Sequence, residues 1–523
     1  MRATYTLELE LSYNTWTPVT ADWFSSDSLI IERGIEPGQR VAGIGRMEWT
    51  LYNAAGKYTP GHANCLAGFE AGIGVRLKAS DGATTYPLFF GRITRIDPVH
   101  QADPGGLASR RVRVTALDDM HFAAHLPLNV FPLLQNVTAR PVINSLINAA
   151  FTPPSLYGYG RLDHPLMGRL NTGLILSGDF TGKRFDAGQS TFAWAGDTWP
   201  GGDIARRIAD TANSEFGYFY LSADGTPVFE DRHTRPKHTA VNAAISGGLI
   251  GLDADQARGR MANRIEITIY PREVSGSEGI LWQTAQNFQL APNTPRTLTL
   301  RYKDPTLPSA IIGAAEVKFP EKWQDYRATD RQDGTGTDAT PYVSLEWIPG
   351  ATSTTLILTS RWPKPEMIYV HNLQLRGKPV RAYQPLLIVR EDSEAITLEG
   401  RLPLGIDMPL QNDAQVAGDL AGVLLGKRKD PHAWPEVRVE AAASSAMLTH
   451  ALARDIGDRL SITDAALGLS GMGCFIDHIR HEIARGGASH RVTWRTSPAD
   501  LTTYWILAQA GFGELGQTTL LGY

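Results

Sequence analysis

The chain has 523 residues, 42% of them apolar and 20% charged, a formal net charge of -4 and two cysteines. That length predicts roughly three to five domains, and the slight negative balance argues against a protein that holds nucleic acid by releasing counter-ions. Cys65 and Cys474 are too few for a disulfide framework or a zinc ligand set, which fits synthesis in a reducing cytoplasm.

Gly 51 and Pro 32 favour many turns, hence an all-β or α+β protein. The N-terminus, "MRATYTLELELSY", alternates polar and apolar residues and does not read as a signal peptide. No run of about 18 apolar residues is present to span a membrane, so export by the usual secretory route is not expected.

Residues 1–120 read as strands. "ATYTLELELSY" alternates, "GVRLKAS" and "YPLFFGRITRID" flank the turn signal Asp81-Gly82, and "SRRVRVTALDD" adds another strand. In "GRMEWTLYNAAGKYTPGH", Met47, Trp49 and Leu51 alternate as a strand that breaks at Asn53 and leaves through Gly56 and Tyr58-Thr59-Pro60. Closely spaced strands of this kind predict a small barrel or sandwich.

Residues 121–235 change character. "TARPVINSLINAAF" carries a helical stripe of Val142, Ile143, Leu146, Ile147 and Ala150, with Thr138 as cap and Pro141 in the first turn. Asp203 is placed to cap a second helix whose Ile204, Ile208 and Ala212 face inward and which Gly217 is expected to end. A hairpin turning at Asp224-Gly225 follows.

From about 260 the chain alternates again, with a polar, Gly-rich loop at 329–341 expected to be mobile. Residues 411–429 read as a helix with Val416, Leu420, Val423 and Leu424 on one face and three cations in the last turn, where the helix dipole favours them. Strands resume at "EVRVEA", "DRLSIT", "GCFIDHIRHEI" and "SHRVTWRTSPAD".

Several stretches invite a chemical reading. "FIDHIRHEI" offers Asp477, His478, His481 and Glu482 as metal ligands. As a strand, however, with Phe475, Ile479 and Ile483 alternating, it sets His478 and Glu482 on one face and Asp477 and His481 on the other. Four ligands do not converge from opposite faces of one strand. His121 and His125 have helical spacing but lack the glutamate of a zinc-protease helix. "GDFTGKR" (178–184) lacks phosphate-loop spacing and the hydroxyl residue after its lysine. No nucleophile elbow is present. Trp194, Trp199, Trp282, Trp323 and Trp362 are candidates for stacking on sugars, set against the commoner role of tryptophan as a core or interface anchor. The expectation is therefore no catalytic residue, no cofactor and no metal.

"GRMEWTLYNAAGKYTPG", "LFFGRITRIDP" and "RVRVTALDDM" together resemble the N-terminal hub domain of phage minor tail proteins. "IARRIADTANSEFGYFYLSADGTPVFEDR" is similar to the second domain of that family, and "NRIEITIYPR", "WQDYRATDRQDGTGTDAT", "LQLRGKPV", "DIGDRLSIT" and "FIDHIRHEI" follow in its order. The resemblance covers nearly the whole chain. It implies a tail-tip or baseplate hub, related in fold to the hub of contractile-tail phages: mainly β, α+β, with two similar β-barrels in each subunit. The implied domains are a barrel at 1–120, an α+β domain at 121–235, a second barrel and helix-containing region at 236–274 with 376–500, an inserted β-sandwich at 275–375 and a tail at 501–523. In that tail, Trp505 and Phe512 are the expected anchors.

The implied assembly is a homotrimer that closes the distal end of the tail tube and adapts sixfold tube symmetry to a threefold tip. Its implied partners are the distal tail protein, tube hexamers, the tape measure protein and tip spike or fibre proteins, with DNA only passing through the lumen. The protein would be made in the bacterial host cytoplasm and reside in the virion. Two alternatives stand beside it: a receptor protein whose 275–375 region binds cell-surface glycan, and a tail-associated peptidoglycan hydrolase.

Overall fold

The computed structural model describes residues 2–12, 14–102, 108–126, 128, 134–151, 184–196, 202–303, 311–350 and 352–499, together with the backbone of 504–505 and 520–521. The fold is mainly β, and among the described residues no sheet closes into a barrel.

The first β unit comprises β1 (Thr4–Ser12), β2 (Leu29–Gly34), β3 (Arg46–Tyr52), β4 (Gly74–Ser80), β5 (Thr85–Ala102) and β6 (Ala108–Leu117). Alternation puts Leu7, Leu9, Leu29, Ile31, Met47, Trp49 and Leu51 in the core. Asp81 Oδ1 accepts from the amides of Ala83 and Thr84 at 2.9 and 2.8 Å, which closes the tight turn between β4 and β5.

The exit of β3 is a tethered turn. Asn53 Oδ1 accepts from the Tyr58 amide at 2.8 Å, and its Nδ2 donates to Thr59 Oγ1 at 2.8 Å. Tyr58 is fully buried, and its hydroxyl donates to Asp22 Oδ2 at 2.7 Å. Side-chain bonds thus do here what ladder bonds do in the strand.

Three helices follow: α1 (Met120–His125), α2 (Ala139–Phe151) and α3 (Ile204–Glu215). Asp203 caps α3, accepting from the Arg206 amide at 2.7 Å. Ile204, Ile208 and Ala212 share a core with Val142, Ile143, Leu146 and Ile147 of α2. Gly217 does not end α3; Phe216 does, in the left-handed conformation with φ 60° and ψ 27°. A hairpin of Tyr218–Leu221 and Pro227–Glu230 completes this part.

The second β unit comprises β7 (Ala243–Ile245), β8 (Leu249–Asp255), β9 (Trp434–Glu440), β10 (Arg459–Asp464), β11 (Leu469–Ala484) and β12 (Ser489–Pro498). Two layers are inserted between β8 and β9. In one, strand Arg264–Ile269 lies between Leu386–Glu391 and Pro403–Met408, covered by helix α4 (Ala414–Arg428). The buried face of α4 is Ala417, Gly418, Leu420, Ala421 and Leu424, with Val416 and Val423 half-buried at its flanks. The small residues at 417, 418 and 421 let the helix approach the strands closely, so that of the expected face Leu420 and Leu424 are buried while Val416 and Val423 lie at its edges. In the other layer, strands running from Arg272 to Ala382 form three small sheets, two of them around Leu290, Leu356, Leu358 and Val370 and the third around Leu281, Ile311 and Leu375. The 329–341 loop there is bonded internally, with Asp330 Oδ1 accepting from the Thr337 amide at 2.8 Å.

One sheet of 13 strands joins the two β units. Its path runs β8-β9-β12-β11-β2-β3-β6-β5-β4-β1 and ends on the short strand Thr15–Pro18 beside β1, with β10 paired to β11 and β7 to β10. The order β2-β3-β6-β5-β4 in the first unit recurs as β8-β9-β12-β11-β10 in the second. Every neighbouring pair in both series is antiparallel. The units do not curl up separately, because β2, the outer strand of the first, pairs with β11 of the second.

Candidate assembly interface

The β2–β11 joint unites the two β units in one sheet. Leu29 stands opposite Ile483, Ile31 opposite His481 and Gly34 opposite His478. Gly34 has φ +149°, and a Cβ built on it would lie 2.4 Å from the His478 Cα. No side chain fits there, so glycine sets how closely the strands cross.

Charge lies under the joint. Arg33 Nη1 donates to Asp455 Oδ1 at 2.6 Å, and Asp455 Oδ2 accepts from the Ala223 amide at 3.0 Å. One carboxylate therefore ties β2, the hairpin of the α+β part and the second unit. Arg235 spans a second tie, donating to Glu230 Oε2 at 2.8 Å and to Asp477 Oδ1 at 2.7 Å. Glu230 Oε1 also accepts from the Tyr220 hydroxyl at 2.8 Å. On the outer side Glu32 pairs with Arg480.

The residues of "FIDHIRHEI" sit in β11, and a bulge at Asp477 changes their faces. The ladder skips between Ile476 and His478, so Cys474 and Ile476 point to the core before the bulge and Ile479 and Ile483 after it. Simple alternation grouped Phe475 with Ile479 and Ile483. The bulge separates it from them, and Phe475 faces Arg235 on the other side.

His481 is buried; its Nδ1 lies 3.0 Å from His490 Nε2, and His490 Nδ1 lies 3.0 Å from the Tyr5 hydroxyl. Burial holds both imidazoles neutral, pushing His490 down to about 3 and His481 well below its usual range. Burial likewise pushes the Cys474 thiol up to about 12 and the Asp118 carboxyl up to about 8. Among the described residues no group of three or more His, Cys, Asp or Glu side chains is placed to hold a metal ion.

Of the tryptophans read as possible sugar platforms, Trp194 and Trp362 are buried, Trp282 is half-buried and Trp323 is 60% exposed. His121 and His125 lie against each other on α1, ring centroids 4.3 Å apart and planes tilted by 49°. Trp199, Phe512 and residues 178–183 lie outside the described residues, and of 501–523 only the backbone pairing of Tyr504–Trp505 with Leu520–Leu521 is described. The joint residues Arg33 and Asp455 carry no local signal. The one hint is Gly34, which follows an apolar-rich run just before Glu36-Pro37-Gly38.

No family model matches the chain, and no curated protein matches it. Solved structures do. The 43 kDa tail protein of prophage MuSo2 from Shewanella oneidensis is 10% identical, with 95% of this chain and 98% of that chain covered at a TM-score of 0.44. The tail protein from Neisseria meningitidis MC58 is 11% identical, with 94% and 96% covered at 0.45. Prophage tail protein gp18 from Listeria monocytogenes EGD-e is 8% identical, with 95% and 96% covered at 0.40. All three are named as tail proteins.

Proposed function

We propose that the chain is a structural subunit of a phage tail tip, a hub that forms a homotrimer in the virion. The observation that carries this reading is the repeated strand order of the two β units and their edge-to-edge union through β2 and β11. A chain with two like units supplies six like positions in a trimer, the number needed to mate with a sixfold tube.

The internal joint also suggests how subunits would meet. In the second unit β8 holds the place of β2, and among the described residues β9 is its one strand partner. In the first unit β5 holds the place of β11, with a bulge between Ile93 and Arg95 matching the bulge between Ile476 and His478. The stretch of β5 after its bulge, from Arg95 toward Val99, corresponds to the stretch of β11 that receives β2. Three joints of β8 on the next subunit's β5 would alternate with three internal β2–β11 joints around the ring. Pro98 withholds one N–H from that stretch, a common way to keep an edge from pairing indiscriminately.

The partners proposed with this role are the distal tail protein and tube hexamers on one side and spike or fibre proteins on the other. The tape measure protein and the passing DNA would occupy the lumen. The role involves no chemical step, and the support for these partners is the sequence resemblance. The exposed Trp323, whose Nε1 donates to Asp338 Oδ2 at 2.9 Å, keeps a glycan contact in the inserted region as a second reading.

The test is the mass of the purified chain by light scattering, with Leu252→Pro in β8 as the variant. The wild type is expected at three times the chain mass and the variant at one. A wild type that stays monomeric at high concentration, or a variant that still trimerises, sinks the proposal.

A further inference from the structure

A cleft of about 140 Å³ opens where the end of α3, the end of α4 and strands β9 and β11 meet. Its walls place guanidinium groups on aromatic faces. The Arg40 guanidinium carbon lies 3.3 Å from the Phe216 ring centroid and 4.5 Å from that of Tyr218. Arg260 and Arg428 stand over Trp434 at 4.7 and 4.9 Å. Stacking engages the flat faces of these groups rather than their N–H edges.

The charges around this cleft do not balance evenly. Arg235 is met by Glu230 and Asp477, Arg232 by Glu215 at 3.0 Å and Arg260 by Asp255 at 3.1 Å, and Asp430 adds one carboxylate to the lining. Among the described residues no carboxylate pairs with Arg428; its Nη1 donates to the Arg260 carbonyl oxygen at 3.2 Å. Burial, then the nearby Arg40 and Arg260 charges, hold its pKa below the ordinary arginine range. The C-terminal end of α4 offsets only part of this charge. A half-buried cation among like charges is costly unless something neutralises it.

The backbone points the same way. Phe216 holds φ 60° at the end of α3, a conformation that a bulky residue seldom adopts and that here puts its ring under Arg40.

We propose that this cleft is an anion site for a phosphate group, held by Arg428 together with Arg40 and Arg260. A carboxylate presents two oxygens in one plane and suits a single guanidinium fork. A phosphate presents oxygens in several directions and carries up to two charges, which suits forks converging from different walls. Free phosphate and a phosphomonoester share this chemistry.

The test is calorimetric titration of the full chain, in chloride buffer of matched ionic strength, with inorganic phosphate and separately with glycerol 3-phosphate. Saturable binding of one equivalent is expected. Arg428→Gln is expected to weaken it about tenfold or more, as the loss of a charged hydrogen bond does, and Arg428→Lys to fall between. Binding of inorganic phosphate alone identifies the free ion as the occupant, and tighter binding of the ester identifies a phosphomonoester. Without phosphate, Arg428→Gln is expected to melt no lower than wild type, since it removes repulsion; if it fails to fold, Arg260→Gln at the more open wall carries the test. No saturable heat with either compound, or unchanged affinity in the folded variant, overturns the site. Binding is read on the isolated chain, so it stands or falls separately from trimer formation.

Discussion

Arg33 and Asp455, 422 residues apart, meet with Nη1 to Oδ1 at 2.6 Å beneath the strand joint. The arginine side chain is 5% exposed and the carboxylate 27%. Asp455 also takes the Ala223 amide, so the pair locks three parts of the chain with one carboxylate.

Arg33→Ala is expected to lower unfolding free energy by about 3 kcal/mol, the usual effect of stranding one partner of a mostly buried pair. A double-mutant cycle with Asp455→Ala in urea should show coupling above about 1 kcal/mol. Simple additivity would mean the pair does not act as a unit.

Gly34→Ala is expected to cost about 2 kcal/mol or more, because φ +149° disfavours a side chain and the new Cβ meets the His478 backbone. Amide exchange should quicken at 478–483 while the 46–52 strand stays protected through its pairing with 111–117. Equal quickening of both would place the strain elsewhere.

Acid should loosen the second unit through its histidines. His481 and His490 are held neutral when folded, His490 down to about pH 3, whereas the unfolded chain takes up their protons below about pH 6.5. Their contribution to stability is therefore complete above about pH 6.5 and is lost as pH falls toward 3. Denaturation midpoints for wild type and His481→Gln/His490→Gln should converge as pH drops through this window. Parallel curves would remove the pair from the acid response. Asp118 acts oppositely: its raised folded pKa, about 8, means its contribution is lost as pH rises from about 4 to 8.

Trp323→Ala and Trp362→Ala should differ sharply. Trp323 is 60% exposed and Trp362 6%, so the first is expected to cost about 1 kcal/mol or less and the second about 3 kcal/mol or more. If a glycan array shows binding by the chain, Trp323→Ala should abolish it without changing the melting temperature. Retained binding in that variant would exclude Trp323 as the platform.

The sequence by itself determined the local structure. Period-two alternation marks β3 and β12, Asp81-Gly82 marks the hairpin, and Asp203 marks a helix start where its side chain does cap. These signals are readable because their causes, side-chain period and bonding within four residues, lie within a short window.

Tertiary structure alone decided the rest. β2 pairs with a strand more than 400 residues away, and no property of "LIIERG" names that partner, since backbone donors and acceptors look alike on every strand. The bulge at Asp477 reverses which residues face the core, and one extra residue of that kind leaves no mark on the hydrophobic pattern until the ladder is seen. Arg40, Arg260, Arg428 and Trp434 are scattered over nearly 400 residues and meet only because α3, α4 and β9 pack at one corner. Strand alternation is a local steric property; which edges join, and which charges are left facing one another, depends on the packing of the whole chain.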